Sequence, residues 1–166
     1  YSFTGKMFHT AQWDHSVTID KNTKVGVIGT GSTAAQFVPE LVNTGADVSI
    51  FMRTPQWILP LGDRQVSETE KDLLRRYPWM LKLSRWLGKF TMNHFFNKAI
   101  AGAPVQRKLL EWGCKLNLRF SIKDKVLREK LTPDYRIGCK RVIVNTTSYP
   151  AIQKPNAHVI TEGIQS

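Results

Sequence analysis

Lys24 precedes Val25-Gly26-Val27-Ile28, and this apolar run passes directly into Gly29-Thr30-Gly31-Ser32-Thr33-Ala34. An apolar run without polar alternation is what a buried strand of a parallel sheet carries. Gly29 permits a tight turn, Gly31 lets backbone amides approach a pyrophosphate, and Ala34 lets the next helix pack close to the strand. The helix-compatible run Ala35-Gln36-Phe37-Val38 follows, Pro39 predicts a kink, and Asn43-Thr44-Gly45 reads as a stop. A second strand is expected over Asp47–Met52. Strand, glycine turn, helix and strand within about thirty residues make the βαβ unit of dinucleotide binding. The expected class is therefore α/β, a Rossmann-like dinucleotide-binding domain. In such a unit the turn residues, Thr30, Ser32 and Thr33 included, hold the pyrophosphate at the positive end of the helix.

The end of the second strand separates the two nicotinamide cofactors. An acid there would bond the ribose hydroxyls and repel a 2′-phosphate. This strand ends Phe51-Met52-Arg53-Thr54, without an acid, and Arg53 offers a forked, charged donor set to a phosphate. NADP is preferred over NAD, the alternative being a solvated surface arginine.

Three textures divide the chain. Residues 1–60 alternate short apolar runs with glycines, residues 61–131 read as a helical insertion, and residues 132–166 return to strand-like runs. The insertion opens on a capping box, Ser67 to Glu70, and Pro78 suits the first turn of a second helix. Met80, Leu83, Leu87 and Phe90 recur at steps of three and four, and Trp79, Trp86, Phe95 and Phe96 widen that face. Packing, within this layer or against something outside it, is expected of the aromatic stripe rather than cofactor stacking. A third helix is expected from Pro104 through Trp112. Beyond the turn at Thr132–Tyr135, Val142–Val144 reads as a short buried strand and His158–Ile160 as an edge strand.

A formal net charge of +11 raises the question of an anionic partner, and much of the excess lies between Arg107 and Arg141. A solvated helix face is the ordinary source of such a run. An anionic cofactor, an acidic partner domain and a membrane surface remain alternatives, while no nucleic-acid partner is expected. No apolar run approaches the roughly eighteen residues of a membrane span, and the start lacks a secretory pattern. The expected location is cytoplasmic, with Cys114 and Cys139 as reduced thiols. Neither these cysteines nor the scattered histidines have metal-ligand spacing, so no metal is expected.

The segment from Phe3 through Gly5, His9 and Trp13 to Asp14 fills every fixed position of F-x-G-x-x-x-H-x-x-x-W-[PD]. It resembles the fingerprint of Baeyer–Villiger flavin monooxygenases. Arg53-Thr54-Pro55-Gln56-Trp57 resembles the family's R-T-P-x-[W/F] continuation, and Thr132-Pro133-Asp134-Tyr135 with Gly138-Cys139-Lys140-Arg141 resembles its T-P-D-Y…G-[CT]-K-R segment. The resemblance implies a two-cofactor reaction in which NADPH reduces FAD and the reduced flavin captures O2 as a peroxide. That species converts a ketone to an ester or oxygenates a soft nitrogen or sulfur atom. It also implies that Arg141 is catalytic, stabilising the anionic oxygenating species. By the same resemblance Lys140 helps Arg53 and Thr54 hold the 2′-phosphate, and His9 couples motions at a domain junction. Asp14 suits a broad group within the type that includes enzymes acting on aryl ketones.

The family's FAD-binding Gly-x-Gly-x-x-Gly and the carboxy-terminal part that completes its flavin domain are not in these residues. The expectation is an NADP portion of a longer enzyme, with the FAD domain elsewhere in the same chain and no turnover by this segment alone. Asn145-Thr146-Thr147-Ser148-Tyr149 departs from the family's more acidic, tyrosine-rich stretch. A stand-alone NADP-binding or redox-sensing domain and a basic helical interaction module are the rival classes, and an upstream FAD fingerprint would discriminate against both.

Overall fold

The computed structural model describes residues 3–60 and 65–164, so the expected junction at residue 61 lies outside the described residues. The apolar run forms β1 (Lys24–Ile28), α1 spans Ser32–Asn43, and β2 (Asp47–Phe51) lies parallel to β1 with Val27 opposite Ile50. After the two-residue β3 (Ile58–Leu59) come α2 (Glu68–Arg76), α3 (Pro78–Thr91) and a π-helical turn (Met92–Phe96). Next are α4 (Asn97–Ile100), α5 (Pro104–Ser121) and α6 (Lys125–Lys130). β4 (Ile143–Val144), α7 (Ser148–Ala151) and β5 (Ala157–Ile160) follow. The main sheet is parallel in the order β1-β2-β5, and β3 and β4 form a separate parallel pair. The architecture is mixed α/β with parallel sheets.

The main core lies between α1 and the sheet. Val38, Leu41 and Val42 of α1 meet Val27, Val48 and Ile50, all at most 5% exposed. Burial of each such side chain contributes roughly 1.5–3 kcal/mol. A second cluster, Trp57, Ala99, Leu110, Cys114 and Ile137, joins the helical stretch to the segment after it. Burial, aided by the charge of Glu111, pushes the Cys114 thiol up to about 12, so it packs as an inert apolar group.

Two expectations need correction. β1 is not buried along its length: Val27 is 5% exposed but Ile28 is 74% exposed, because successive side chains face opposite sides of the sheet and the core with α1 lies on the side of Val27. In β4, likewise, Ile143 is buried while Val144 faces out on the opposite side of the strand. Pro39 neither ends nor interrupts α1, which continues to Asn43.

What lets α1 carry this proline lies at a distance. Pro39 has no N–H to give the Ala35 carbonyl, and that carbonyl instead accepts from Asn145 Nδ2 at 3.0 Å. Asn145 Oδ1 in turn accepts from the amides of Thr147 and Ser148, so one side chain ties β4 and α7 to α1. Asn145→Ala is expected to lower stability by about 1–3 kcal/mol. In a Pro39→Ala background the helix recovers its own donor, and the loss should shrink. A double-mutant cycle by denaturant unfolding measures this, and strict additivity would refute the coupling.

Several turn and cap signals act through local chemistry. Gly45 adopts φ +88°, and its N–H closes α1 onto the Val42 carbonyl, as its stop signal requires. Ser67 Oγ accepts from the Glu70 amide at the start of α2. Pro78 and Pro104 occupy the first turns of α3 and α5. β5 is the expected edge strand. Pro150 sits inside the short α7, early enough that its missing N–H interrupts no helical bond.

Candidate functional site

β1 delivers the chain to Gly29, which adopts φ +119°, a conformation side-chain-bearing residues rarely take. Its N–H donates to the Phe51 carbonyl at 3.0 Å, pinning the turn to the end of β2. Gly31 is the N-cap of α1 at φ −70°, and an added Cβ would meet nothing within 4 Å. Neither backbone conformation nor internal packing therefore demands glycine at position 31, and what a Cβ would restrict there is the approach of a group from outside. No side chain caps α1 and its first turn holds no acid, so its amides present uncompensated positive character. Ser32 and Thr33 are exposed on this turn, and the half-buried Ala34 packs against the core.

Side-chain hydrogen bonds draw three distant segments together around the turn. Thr30 Oγ1 donates to the Thr54 carbonyl at 3.1 Å and accepts from Gln56 Nε2 at 3.4 Å. Tyr135 Oη donates to Gln56 Oε1 at 2.9 Å, and Trp57 Nε1 donates to the Tyr135 carbonyl at 2.9 Å. Burial raises the Tyr135 phenol above its ordinary value, which keeps it a neutral donor. Lys140 Nζ lies 4.7 Å from the centre of the Tyr135 ring, a cation–π contact that brings the Lys140 segment to this network. Arg53 and Arg141 are exposed and have no hydrogen-bond or ion-pair partner among the described residues. The arrangement can bind a polyanion: amides at a helix end, with cations nearby that no carboxylate among the described residues neutralises.

The amino-terminal motif is held from one side. Trp13 meets Phe8 and Phe37 edge-on at 5.1 and 6.1 Å, which seats it on α1. Hydrogen bonds from Ser16, with Lys6 adding to them, hold the Asp14 carboxyl below its usual range. Phe3 is exposed, and its ring lies where a Cβ on Gly5 would come within 2.5 Å of it. His9 is exposed, its Nδ1 accepting from the Ala11 amide. No hydrogen bond or ion pair links His9 or Arg141 to the glycine turn among the described residues.

The family model for flavin-binding monooxygenase-like proteins matches residues 1–149. The chain belongs to this family. A Baeyer–Villiger monooxygenase from Pseudomonas aeruginosa is 44% identical over 165 residues, which is 99% of this chain and 31% of that enzyme. Another from Streptomyces coelicolor is 40% identical over 163 residues, 98% of this chain and 31% of that one. The chain thus spans about a third of the length of these curated relatives. The crystal structure of OTEMO in complex with FAD and NADP superposes with a TM-score of 0.72 at 27% identity, covering 96% of this chain and 37% of that one. An oxidised steroid monooxygenase bound to NADP gives a TM-score of 0.74 at 20% identity over 95% of this chain and 36% of its own, a likeness of fold.

In this flavin-binding monooxygenase-like chain, sequence reasoning did not single out Gln56, Tyr135 and Ser148, which lie around the candidate site. Gln56 and Tyr135 stand within motif segments, a signal that was present, but their side chains meet across 79 positions. Ser148 carried no signal. Its Oγ is buried without a hydrogen-bond partner among the described residues, at the wall of a cavity of about 60 Å³ beneath the glycine turn. Thr30, Ala34, Val38 and Gln56 also line that cavity.

Proposed function

We propose that this chain is the NADP-binding portion of an FAD-dependent Baeyer–Villiger monooxygenase, a Rossmann-like domain interrupted by the helical insertion at residues 61–131. The observation that carries the reading is the open, uncapped turn at Gly29–Ala34, with the cations Arg53 and Lys140 near it unneutralised by any carboxylate among the described residues. The turn amides would hold the pyrophosphate, and Arg53, Thr54 and Lys140 the 2′-phosphate. Thr30 is committed to the Thr54 carbonyl, so its hydroxyl shapes the turn and its backbone faces the ligand. The FAD site belongs to the rest of the protein, and flavin, when bound, supplies the oxygen chemistry. Arg141 provides fixed positive charge toward that reaction, while His9, Trp13 and Asp14 join the two cofactor domains. The substrates of the whole enzyme are a small ketone, or a soft nitrogen or sulfur compound, with NADPH and O2.

The test uses the complete protein with NADPH, an aryl ketone and 18O2, followed by mass spectrometry. An ester carrying one labelled atom is expected. NADPH binding without oxygenation of any ketone, amine or sulfide would overturn the reading in favour of a stand-alone NADP-binding domain.

A further inference from the structure

α3 leaves its apolar side uncovered. Trp79, Leu83, Trp86, Leu87 and Phe90 are 46–60% exposed, and no residue of α2, α3 or the π-helical turn is buried. α3 makes its main contacts with α2 and the π-helical turn, so the arm stands off the core. At about 100° per residue, Trp79, Leu83, Trp86 and Phe90 fall within one narrow stripe with Leu87 beside it. Lys82, Arg85 and Lys89 form a second stripe roughly a quarter-turn away. Trp86 stacks on Phe90 at 5.6 Å and Phe90 on His94 at 4.3 Å, which fixes the aromatic row. From Pro78 to Phe96 the sequence contains these three cations and no acidic residue.

We propose that α3 docks this protein on an anionic phospholipid surface, with the aromatic stripe in the bilayer interface and the basic stripe among the headgroups. Charge complementarity selects this occupant. Lys82, Arg85 and Lys89 flank the apolar stripe with positive charge that no acidic residue of 78–96 offsets, and an anionic headgroup layer complements that charge along the whole helix. At a lipid surface long basic side chains keep their heads in the anionic layer while their stems and the tryptophan rings lie below it. No helix among the described residues is long and apolar enough to cross a membrane, so α3 lies in the surface.

The experiment uses the complete protein with sedimenting vesicles of phosphatidylcholine, alone or mixed with phosphatidylglycerol. The expected result is binding to the mixed vesicles, weakened by salt, with new hydrogen-exchange protection of residues 78–91. Each cation near such a surface contributes about fivefold, so the Lys82→Gln, Arg85→Gln, Lys89→Gln triple variant should lose roughly a hundredfold in partitioning. Trp79→Ser with Trp86→Ser should also abolish binding, and both variants should keep wild-type NADPH affinity. Several outcomes would overturn the proposal. They are a folded protein that sediments with neither vesicle, residues 78–91 already protected without lipid, or a dimer in ultracentrifugation that the Trp86 substitution dissociates. The second would assign the surface to the rest of the same chain, and the third to a second copy.

Discussion

Arg141→Ala in the complete protein is expected to abolish ester or oxide formation while leaving NADPH and FAD binding largely intact. Removing one preorganised donor from a reacting site lowers turnover by about 10²–10³-fold. The local structure suits that role. Arg141 stands two residues before Ile143, whose amide donates to the Trp57 carbonyl at 2.9 Å, and Trp57 is itself only 4% exposed. The backbone next to Arg141 is therefore held by buried structure, while the guanidinium has no carboxylate partner among the described residues. A cation fixed at its base and unpaired at its head is available to negative charge supplied from another domain. Arg141→Lys should rescue little, since an ammonium cannot present two parallel donors. Product formation measured beside stopped-flow flavin spectra checks this: near-normal oxygenation by the Ala variant would place the oxygenating site elsewhere. A parallel loss of NADPH affinity would instead make Arg141 a cofactor-binding residue.

Local signals carried far in this chain, and they stop where contacts become long-range. Gly29, Gly45 and Pro104 act within a few residues of themselves, so the turn, the helix end and the helix start could be read directly. β3 could not, because a two-residue strand exists only through its pairing with Ile143 and Val144. The support that lets α1 carry Pro39 was not legible either, since it comes from Asn145, 110 positions away from the carbonyl it serves. The aromatic stripe of α3 was legible as a face, but periodicity does not say whether a face is covered, and here it is exposed. In the site, the glycine turn and Arg53 were visible as types of residue. The link from Thr30 through Gln56 to Tyr135 and Lys140 was not, since hydrogen bonds between distant side chains leave no spacing to detect.

Arg53→Ala is expected to weaken NADPH binding by roughly ten- to over a hundredfold, the 1.5–3 kcal/mol of a charged hydrogen bond to phosphate. NADH affinity should stay nearly unchanged, because the turn at Gly29–Ala34, proposed to receive the pyrophosphate, is untouched. The position of Arg53 supports the split. It follows Met52, whose amide donates to the Ile160 carbonyl at 2.9 Å, and precedes Thr54, whose carbonyl accepts from Thr30. The backbone on both sides is thus fixed to β5 and to the turn, and truncating an exposed side chain leaves those bonds in place. Lys140→Ala should show the same preference with a smaller loss, since an ammonium held over the Tyr135 ring makes a point-charge contact and not a forked one. Titration calorimetry with both cofactors decides the matter. Equal losses for NADPH and NADH would remove Arg53 from the 2′-phosphate, and a loss confined to NADPH in both variants would assign the two cations to one phosphate.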